Sequence, residues 1–150
     1  MIRKNPSGDL PKIAESAYVD RTAIICGKVV IGENVFVGPY AVIRADEIDS
    51  EGGMLPITIG ANSNIQDGVV IHSKSGAAVT IGENTSIAHR SIVHGPCRIG
   101  DRCLSASTVC YSTANWGTGV WCGITRSSMA ATCRINSTYP PQRVSGQTLT

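Results

Sequence analysis

The chain has 150 residues, a formal net charge of +2 and 42% hydrophobic residues, with only 5% aromatic residues. This length suits one domain, and the balanced charge gives no bias towards nucleic acid or membrane surfaces. No apolar run approaches the length of a membrane span. The first residues, MIRKNPSGDLPKI, carry charge and no apolar stretch, so we expect no secretory signal and a cytoplasmic protein. The six cysteines show no CxxC pair, which is typical of thiols in a reducing compartment rather than of a disulfide scaffold.

Aliphatic residues recur at every sixth position along most of the chain. The first series is Ile13, Val19, Ile25, Ile31, Val37 and Ile43, and the later ones are Ile59, Ile65 and Ile71, then Ile81, Ile87, Val93 and Ile99. A fixed period sustained over this length predicts stacked coils, whereas ordinary strands of a sandwich alternate with a period of two. We therefore expect an all-β fold, a left-handed parallel β-helix of hexapeptide repeats shaped as a triangular prism.

Two gaps interrupt this phase, and both have the composition of loops. Ile43 and Ile59 are separated by the segment DSEGGMLP (49–56), and Ile71 and Ile81 by SKSGAAVT (73–80). Glycine, serine and proline favour turns, so we expect both segments to bulge from a corner of the prism.

All three histidines fall within one stretch, residues 59–99. Counting hexads by threes puts His72 and His94 on one face, directly stacked one coil apart, and His89 on another. Three imidazoles with an open fourth position are typical of a catalytic zinc site. Because His89 lies on a different face, we expect it to reach the metal from a neighbouring protomer, in a head-to-tail ring of three subunits. The alternative to a metal site is that the three histidines are ordinary residues on a solvated surface.

Four polar residues accompany the histidines in this reading. The hexad count places Arg44, Asp46, Gln66 and Asp67 on the face of His89. Arg44 and Asp46 alternate outward from one strand and suit an ion pair between subunits. Gln66 and Asp67 can orient an attacking water and anchor its neighbours, although Asp67 can also form a salt bridge with Arg44 across the interface.

The repeat weakens after Cys103. The sixfold phase places Ser105, Tyr111, Gly117 and Gly123 at the next core positions, and none of them is aliphatic. We therefore divide the chain into a β-helix domain, residues 1–103, and an irregular tail, residues 104–150, to which no fold is assigned.

The tail has a second reading at the level of the gene. Reading the codons of residues 104–142 one nucleotide earlier, with codons chosen where the code allows, can give a string that begins IGFNSVLFN. That string continues the sixfold phase, with its first isoleucine at the place of Ser105. Our hypothesis is that the tail is the product of a frameshift.

The motifs IRADE, IGANSNIQDGVVIH and IGENTSIAHRSIVHGPCRIGD resemble those of the γ-class carbonic anhydrases, over roughly residues 10–103. The resemblance implies a trimeric left-handed β-helix with a metal at each subunit interface. It implies metal ligation by His72 and His94 of one protomer and His89 of its neighbour. It also implies interface roles for Arg44, Asp46 and Asp67, with Gln66 orienting hydroxide and Glu47 in the active site.

The resemblance leads to three functional hypotheses. The first is reversible hydration of CO2 to bicarbonate by a homotrimer that uses Zn²⁺, or alternatively Fe²⁺ or Co²⁺, with Gln66 and Glu47 as catalytic residues and Glu47 passing the proton outward. The second is a structural or assembly trimer with weak or no turnover, because the best-known family members carry an acidic loop where this chain has SKSGAAVT. The third is a hexapeptide acyltransferase that uses a histidine as general base on a coenzyme A substrate.

Overall fold

The computed structural model describes residues 1–105, 109–110, 115–118 and 121–122. The strands of its first half are β1 (Ile2–Arg3), β2 (Lys12–Ile13), β3 (Tyr18–Val19), β4 (Ile24–Gly27), β5 (Val29–Ile31), β6 (Phe36–Val37), β7 (Val42–Ala45), β8 (Ile57–Ile59) and β9 (Asn64–Ile65). Those of its second half are β10 (Val70–Ser73), β11 (Val79–Ile81), β12 (Ser86–Ile87), β13 (Ile92–Gly95), β14 (Cys97–Ile99), β15 (Leu104–Ser105), β16 (Val109–Cys110), β17 (Asn115–Trp116) and β18 (Trp121–Cys122).

Every third strand pairs in parallel with the strand one coil away, so the chain forms a β-solenoid with three walls. Sheet A has the order β1-β4-β7-β10-β13-β16, sheet B β17-β14-β11-β8-β5-β2, and sheet C β18-β15-β12-β9-β6-β3. Within the described residues there are strands and no helix. The predicted triangular prism of hexapeptide repeats is confirmed.

The aliphatic residue of each hexad points inward and fills the prism. Ile25, Ile43 and Ile71 of sheet A are fully buried, as are Ile59 of sheet B and Ile65 of sheet C. Burying such a side chain contributes about 1.5–3 kcal/mol. This column of isoleucine and valine is the core on which the outward-facing side chains are mounted.

One corner of the prism is closed by the same backbone geometry in four successive coils. Asn34, Asn62, Asn84 and Arg102 all have positive φ, between 52° and 56°. Asparagine tolerates this left-handed conformation better than most residues. A Cβ on the neighbouring Gly60 would lie 2.6 Å from the backbone carbon of Gly82 in the next coil, so this corner requires glycine.

Both predicted loops leave the prism at the corner between sheets A and B. They span residues 46–56, between β7 and β8, and residues 74–78, between β10 and β11. The two loops contact each other, because Ser75 Oγ donates to the carbonyl of Ile48 and Gly76 N–H donates to the carbonyl of Glu47. The predicted position of both loops at a corner is confirmed. Their ends differ from the predicted ranges 49–56 and 73–80.

Strands continue beyond residue 103 where the structure describes them. Ser105 is buried and pairs with Ile87, as the sixfold phase predicts. The next strands pair Cys110 with Val93 and Trp116 with Ile99. Trp116 therefore stands at the register position that was predicted for Gly117, one residue earlier in the chain. Gly117 itself is exposed. The predictions for Tyr111 and Gly123 lie outside the described residues, and the domain boundary at residue 103 stays a prediction.

Candidate metal centre

A column of outward-facing side chains crosses four neighbouring strands of sheet A. Cys26, Arg44, His72 and His94 occupy the same register position in β4, β7, β10 and β13. Side chains alternate along a strand, so a residue that follows the buried Ile71 must face outward. The predicted stacking of His72 and His94, one coil apart on one face, is confirmed.

The two imidazoles lie edge to face. Their ring centroids are 5.1 Å apart and their planes are inclined by 80°. The His94 Nδ1 lies 3.1 Å from the carbonyl oxygen of Gly95, which can only accept a hydrogen bond and therefore selects the tautomer with its hydrogen on Nδ1. The lone pair of His94 is then on Nε2, and a carbonyl that fixes the tautomer in this way is a common support of a metal-ligating histidine.

His72 presents a buried nitrogen with nothing bonded to it. Its side chain is 12% exposed, and its Nε2 has no hydrogen-bond partner among the described residues. Burial, and next the nearby Arg44 guanidinium, lower the pKa of His72 below its ordinary 6.5. The ring is therefore neutral near pH 7, which is the state that binds a metal ion.

Two carboxylates approach His72 from the beginning of the loop 46–56. Asp46 Oδ1 lies 3.5 Å from His72 Nε2 and is itself buried without a hydrogen-bond partner in the described structure. Its other oxygen, Oδ2, accepts a hydrogen bond from Arg44 Nη1 at 3.2 Å. Glu47 Oε1 lies 3.8 Å from the same nitrogen, and Glu47 Oε2 accepts the N–H of Ser75 at 3.0 Å.

The position of Arg44 and Asp46 corrects the sequence-based assignment of faces. They were predicted to share a face with His89, but Arg44 pairs in register with His72 on sheet A. The error came from counting part of the segment between Ile43 and Ile59 as a hexad. The loop 46–56 adds residues at a corner without adding a wall, so Ile43 belongs to the same sheet as Ile71.

His89 lies apart from the other two histidines, beyond the end of β12 on sheet C. Its Nδ1 is 3.6 Å from Asp67 Oδ2, and its backbone N–H donates to Gln66 Oε1 at 3.2 Å. His89, Gln66 and Asp67 share a face as predicted, and all three line an open cavity of about 530 Å³ together with Phe36 and Asn64. Both His89 and Asp67 have mostly exposed side chains.

Two polar residues of this cavity region were not foreseen. Asn64 Oδ1 is buried without a hydrogen-bond partner in the described structure, and Ser86 Oγ accepts the Nε2–H of Gln66 at 3.3 Å. Asn64 and Ser86 pair in register on adjacent strands. Each directly precedes a core isoleucine, so the strand alternation could have placed both on the outer surface of sheet C.

The side chains around His72 fit part of the ligand set of a metal site. His72 and His94 offer two neighbouring imidazoles, and the His72 Nε2 is buried without a hydrogen-bond partner beside a carboxylate oxygen of Asp46 in the same state. Within the described residues no three histidine, cysteine or acidic side chains converge on one point. One chain therefore supplies two of the three predicted imidazoles at one place, and the third lies on another wall.

Beside the histidine column runs a second outward column, which is apolar. Ile24, Val42, Val70 and Ile92 are paired in register across sheet A, two residues before each member of the polar column. Ile92 is 37% exposed. A continuous apolar row next to polar groups is typical of a surface that packs against another protein.

One family model and several curated proteins match this chain. The family model for the bacterial transferase hexapeptide (six repeats) matches residues 11–45. A carbonic anhydrase of Methanosarcina thermophila is 43% identical over 65% of this chain and 44% of its own length. The carboxysome assembly protein CcmM of Nostoc is 40% identical over 60% of this chain and 17% of its own, and the carnitine operon protein CaiE of Escherichia coli is 38% identical over 62% and 43%.

The solved structures support the fold alone. A proposed acetyltransferase of Bacillus cereus superposes with a TM-score of 0.68 over 81% of this chain and 77% of its own, at 21% sequence identity. The chain spans less than half the length of each of the three named relatives. No segment of the described chain forms a helix with the length and apolarity that crossing a bilayer requires.

Proposed function

We propose that this chain, whose residues 11–45 match the hexapeptide-repeat family model, catalyses the metal-dependent, reversible hydration of carbon dioxide to bicarbonate. The sites lie between the subunits of a homotrimer. The observation that carries the proposal is the register pairing of His72 with His94, with the His72 Nε2 buried and unbonded. Its further support is the similarity to a carbonic anhydrase over 65% of the chain.

His72 and His94 of one subunit and His89 of the next would hold the metal. Zn²⁺ is the default for three imidazoles, with Fe²⁺ or Co²⁺ as alternatives. The chemistry that such an ion supplies is the formation of hydroxide from water near neutral pH. The apolar row of Ile24, Val42, Val70 and Ile92 beside the histidines supports a contact between subunits at this wall.

The protein's own groups have separate tasks in this reaction. Gln66 holds the attacking oxygen through its amide N–H, and Asp67 fixes the ring of His89, whose Nδ1 lies 3.6 Å away. Arg44 holds Asp46 through the 3.2 Å ion pair, and both act at the interface. Glu47, with a side chain that is 53% exposed, receives a proton at Oε1 and releases it to solvent.

We assign the protein to the cytoplasm. The support is that Cys26 and Cys103 are buried free thiols, as expected in a reducing compartment. Its partners in this proposal are two further copies of the chain and the small substrate, without nucleic acid or membrane.

A mixing experiment tests the site between subunits. His89→Ala and His72→Ala chains are each purified, then unfolded, mixed in equal amounts and refolded with zinc. In a mixed trimer, one interface joins an intact His72–His94 pair to an intact His89. About three quarters of the trimers are mixed, and each of these has one complete site among its three interfaces. About one quarter of the wild-type metal and hydration activity therefore returns.

The matched control mixes His72→Ala with His94→Ala. No subunit of that mixture carries both paired histidines, so neither metal nor activity returns. If the His89→Ala and His72→Ala mixture binds no more metal than its components, the site between subunits is wrong.

A structural or assembly trimer with weak or no turnover is the alternative, and its support is the similarity to the Nostoc carboxysome assembly protein. That alternative predicts recovery of metal in the same mixture with no hydration of CO2 in any sample, including the wild type.

A further inference from the structure

The Gln66 side-chain amide is held at both ends by its own chain. Its Oε1 accepts the backbone N–H of His89 at 3.2 Å, and its Nε2 donates to Ser86 Oγ at 3.3 Å. Ser86 begins β12 and His89 follows its end, so both contacts come from the coil next to that of Gln66.

These two contacts decide which way round the amide lies. A backbone N–H can only donate, so the end of the amide that meets His89 must be the oxygen. The nitrogen then lies at the other end and has two N–H groups. One is used by Ser86 Oγ, and the second is left over for the cavity that Gln66 lines.

We propose that Ser86 is a positioning residue that fixes the Gln66 amide so that it offers a hydrogen-bond donor, and not an acceptor, to the cavity. This inference rests on the proposed function for its consequence, because a donor at that point suits the hydroxide or bicarbonate oxygen of CO2 hydration. The fixed orientation of the Gln66 amide, which we call the clamp, depends only on the contacts of Ser86 and His89 with Gln66.

Without Ser86 the amide keeps one anchor and gains rotational freedom at Nε2. Side-chain freedom of this kind weakens catalysis when the group must be oriented before the reaction. The Ser86→Thr substitution keeps the hydroxyl, and a β-branched residue is well tolerated in a strand. This variant therefore separates the hydroxyl from the packing of the side chain.

The test uses the full-length chain and two measurements. The first is NMR of the protein labelled with ¹⁵N at the glutamine side chains. The chain has three glutamines, Gln66, Gln142 and Gln147, and the Gln66→Leu spectrum identifies the Gln66 pair by its absence. In Ser86→Ala we expect the Gln66 amide protons to shift towards free-glutamine values and to exchange faster with water, and in Ser86→Thr to return to the wild-type positions.

The second measurement is CO2 hydration with equal metal content and equal oligomeric state. We expect kcat/KM of Ser86→Ala to fall about fivefold, the size of one lost hydrogen bond, and Ser86→Thr to restore it. Thr80→Ala, which removes an outward-facing hydroxyl of β11 on sheet B, is the control and leaves both measurements unchanged.

The proposal is overturned if the Gln66 signals of Ser86→Ala stay at their wild-type positions, whatever the activity does. If the wild-type chain hydrates no CO2, the proposed function is wrong. The NMR measurement alone then tests whether Ser86 fixes the Gln66 amide.

Discussion

His72 and His94 are partners in register on adjacent parallel strands, and their ring centroids lie 5.1 Å apart. The spacing of parallel strands is set by backbone hydrogen bonds at about 4.8 Å. The backbone separation of the two histidines is therefore a property of the coil and places both side chains on the same face, one coil apart. A pair of donors built in this way exists before any ion binds.

The first prediction concerns the stability of the metal-free protein at acid pH. Burial and Arg44 lower the pKa of His72 in the folded state, while the unfolded chain keeps a value near 6.5. Below pH 6.5 the unfolded chain therefore binds more protons at this site, and the free energy of unfolding decreases until the pH passes the folded-state pKa.

Urea unfolding of the metal-free chain at pH 7.5 and pH 5.5 measures this effect. We expect the midpoint of the wild type to fall between the two pH values by more than that of His72→Gln, whose side chain does not titrate. Equal changes in the two proteins would mean that His72 is not kept neutral by the fold.

The second prediction concerns the polarity of the group that Gln66 offers to the cavity. In Gln66→Glu the Ser86 hydroxyl can rotate to donate to the new carboxylate, but a negatively charged acceptor replaces the donor. We expect kcat/KM for CO2 hydration to fall by about 100-fold or more, because the carboxylate repels the hydroxide and bicarbonate that the amide would hold. Metal content measured on the same sample serves as the control. Activity within a factor of two of the wild type would exclude Gln66 from the reaction.

The third prediction concerns a hydroxyl ladder inside one corner of the prism. Thr85 Oγ1 donates to the carbonyl of Gly100 at 2.8 Å and accepts the backbone N–H of Cys103 at 3.1 Å. Ser63 Oγ donates to the carbonyl of Gly82 one coil away and accepts the N–H of Thr85. We expect Thr85→Val to lower the free energy of unfolding by about 2 kcal/mol, since the buried N–H of Cys103 and the partly buried carbonyl of Gly100 lose their partner.

The measurement for the ladder is again the urea midpoint, with Thr80→Val on the outer surface of sheet B as the matched control. The same polar-to-apolar change at Thr80 leaves stability within about 0.5 kcal/mol. A similar loss in both variants would show that the effect comes from the strand and not from the ladder.

The fourth prediction concerns Ser105. This serine is 1% exposed and pairs with Ile87, which itself pairs with Ile65. A polar residue therefore occupies a position that isoleucine fills in the two preceding coils, and the shifted reading of the gene has isoleucine there. We expect Ser105→Ile to raise the free energy of unfolding by about 1–2 kcal/mol through added apolar burial.

The same hypothesis is checked directly on the gene. Sequencing across the codons of residues 104–142 should show a single-nucleotide change relative to a reading that continues the repeat. An intact frame through this region would end the frameshift hypothesis.

The fold could be predicted from the sequence because one requirement repeats in every coil. Each wall needs one inward aliphatic side chain, as Ile59, Ile65 and Ile71 show in turn, so the period is visible without knowledge of any contact. The stacking of His72 on His94 followed from the same count, since each directly follows a core residue.

The count of hexads failed at the loop 46–56, where additional residues do not form an additional wall. Nothing in the residues between Ile43 and Ile59 says how many of them belong to walls, and Arg44 was placed on the wrong face for that reason. The contact of Ser86 with Gln66 was also out of reach, because it depends on the rotation of an amide. The later strands pair through the backbone with the coil below, so Cys110 can lie opposite Val93 without an aliphatic side chain of its own.

The corner between sheets A and B has room for very different lengths of chain. It is a single residue at Lys28 and at Pro96, but it holds residues 46–56 and 74–78 in the two coils between them. The number of residues that separates the two stacked histidines along the chain is therefore arbitrary, whereas their separation in space is not. A search for this centre by fixed spacing between histidines would overlook proteins that share it, and one that counts positions from the core residue of each coil would recover them.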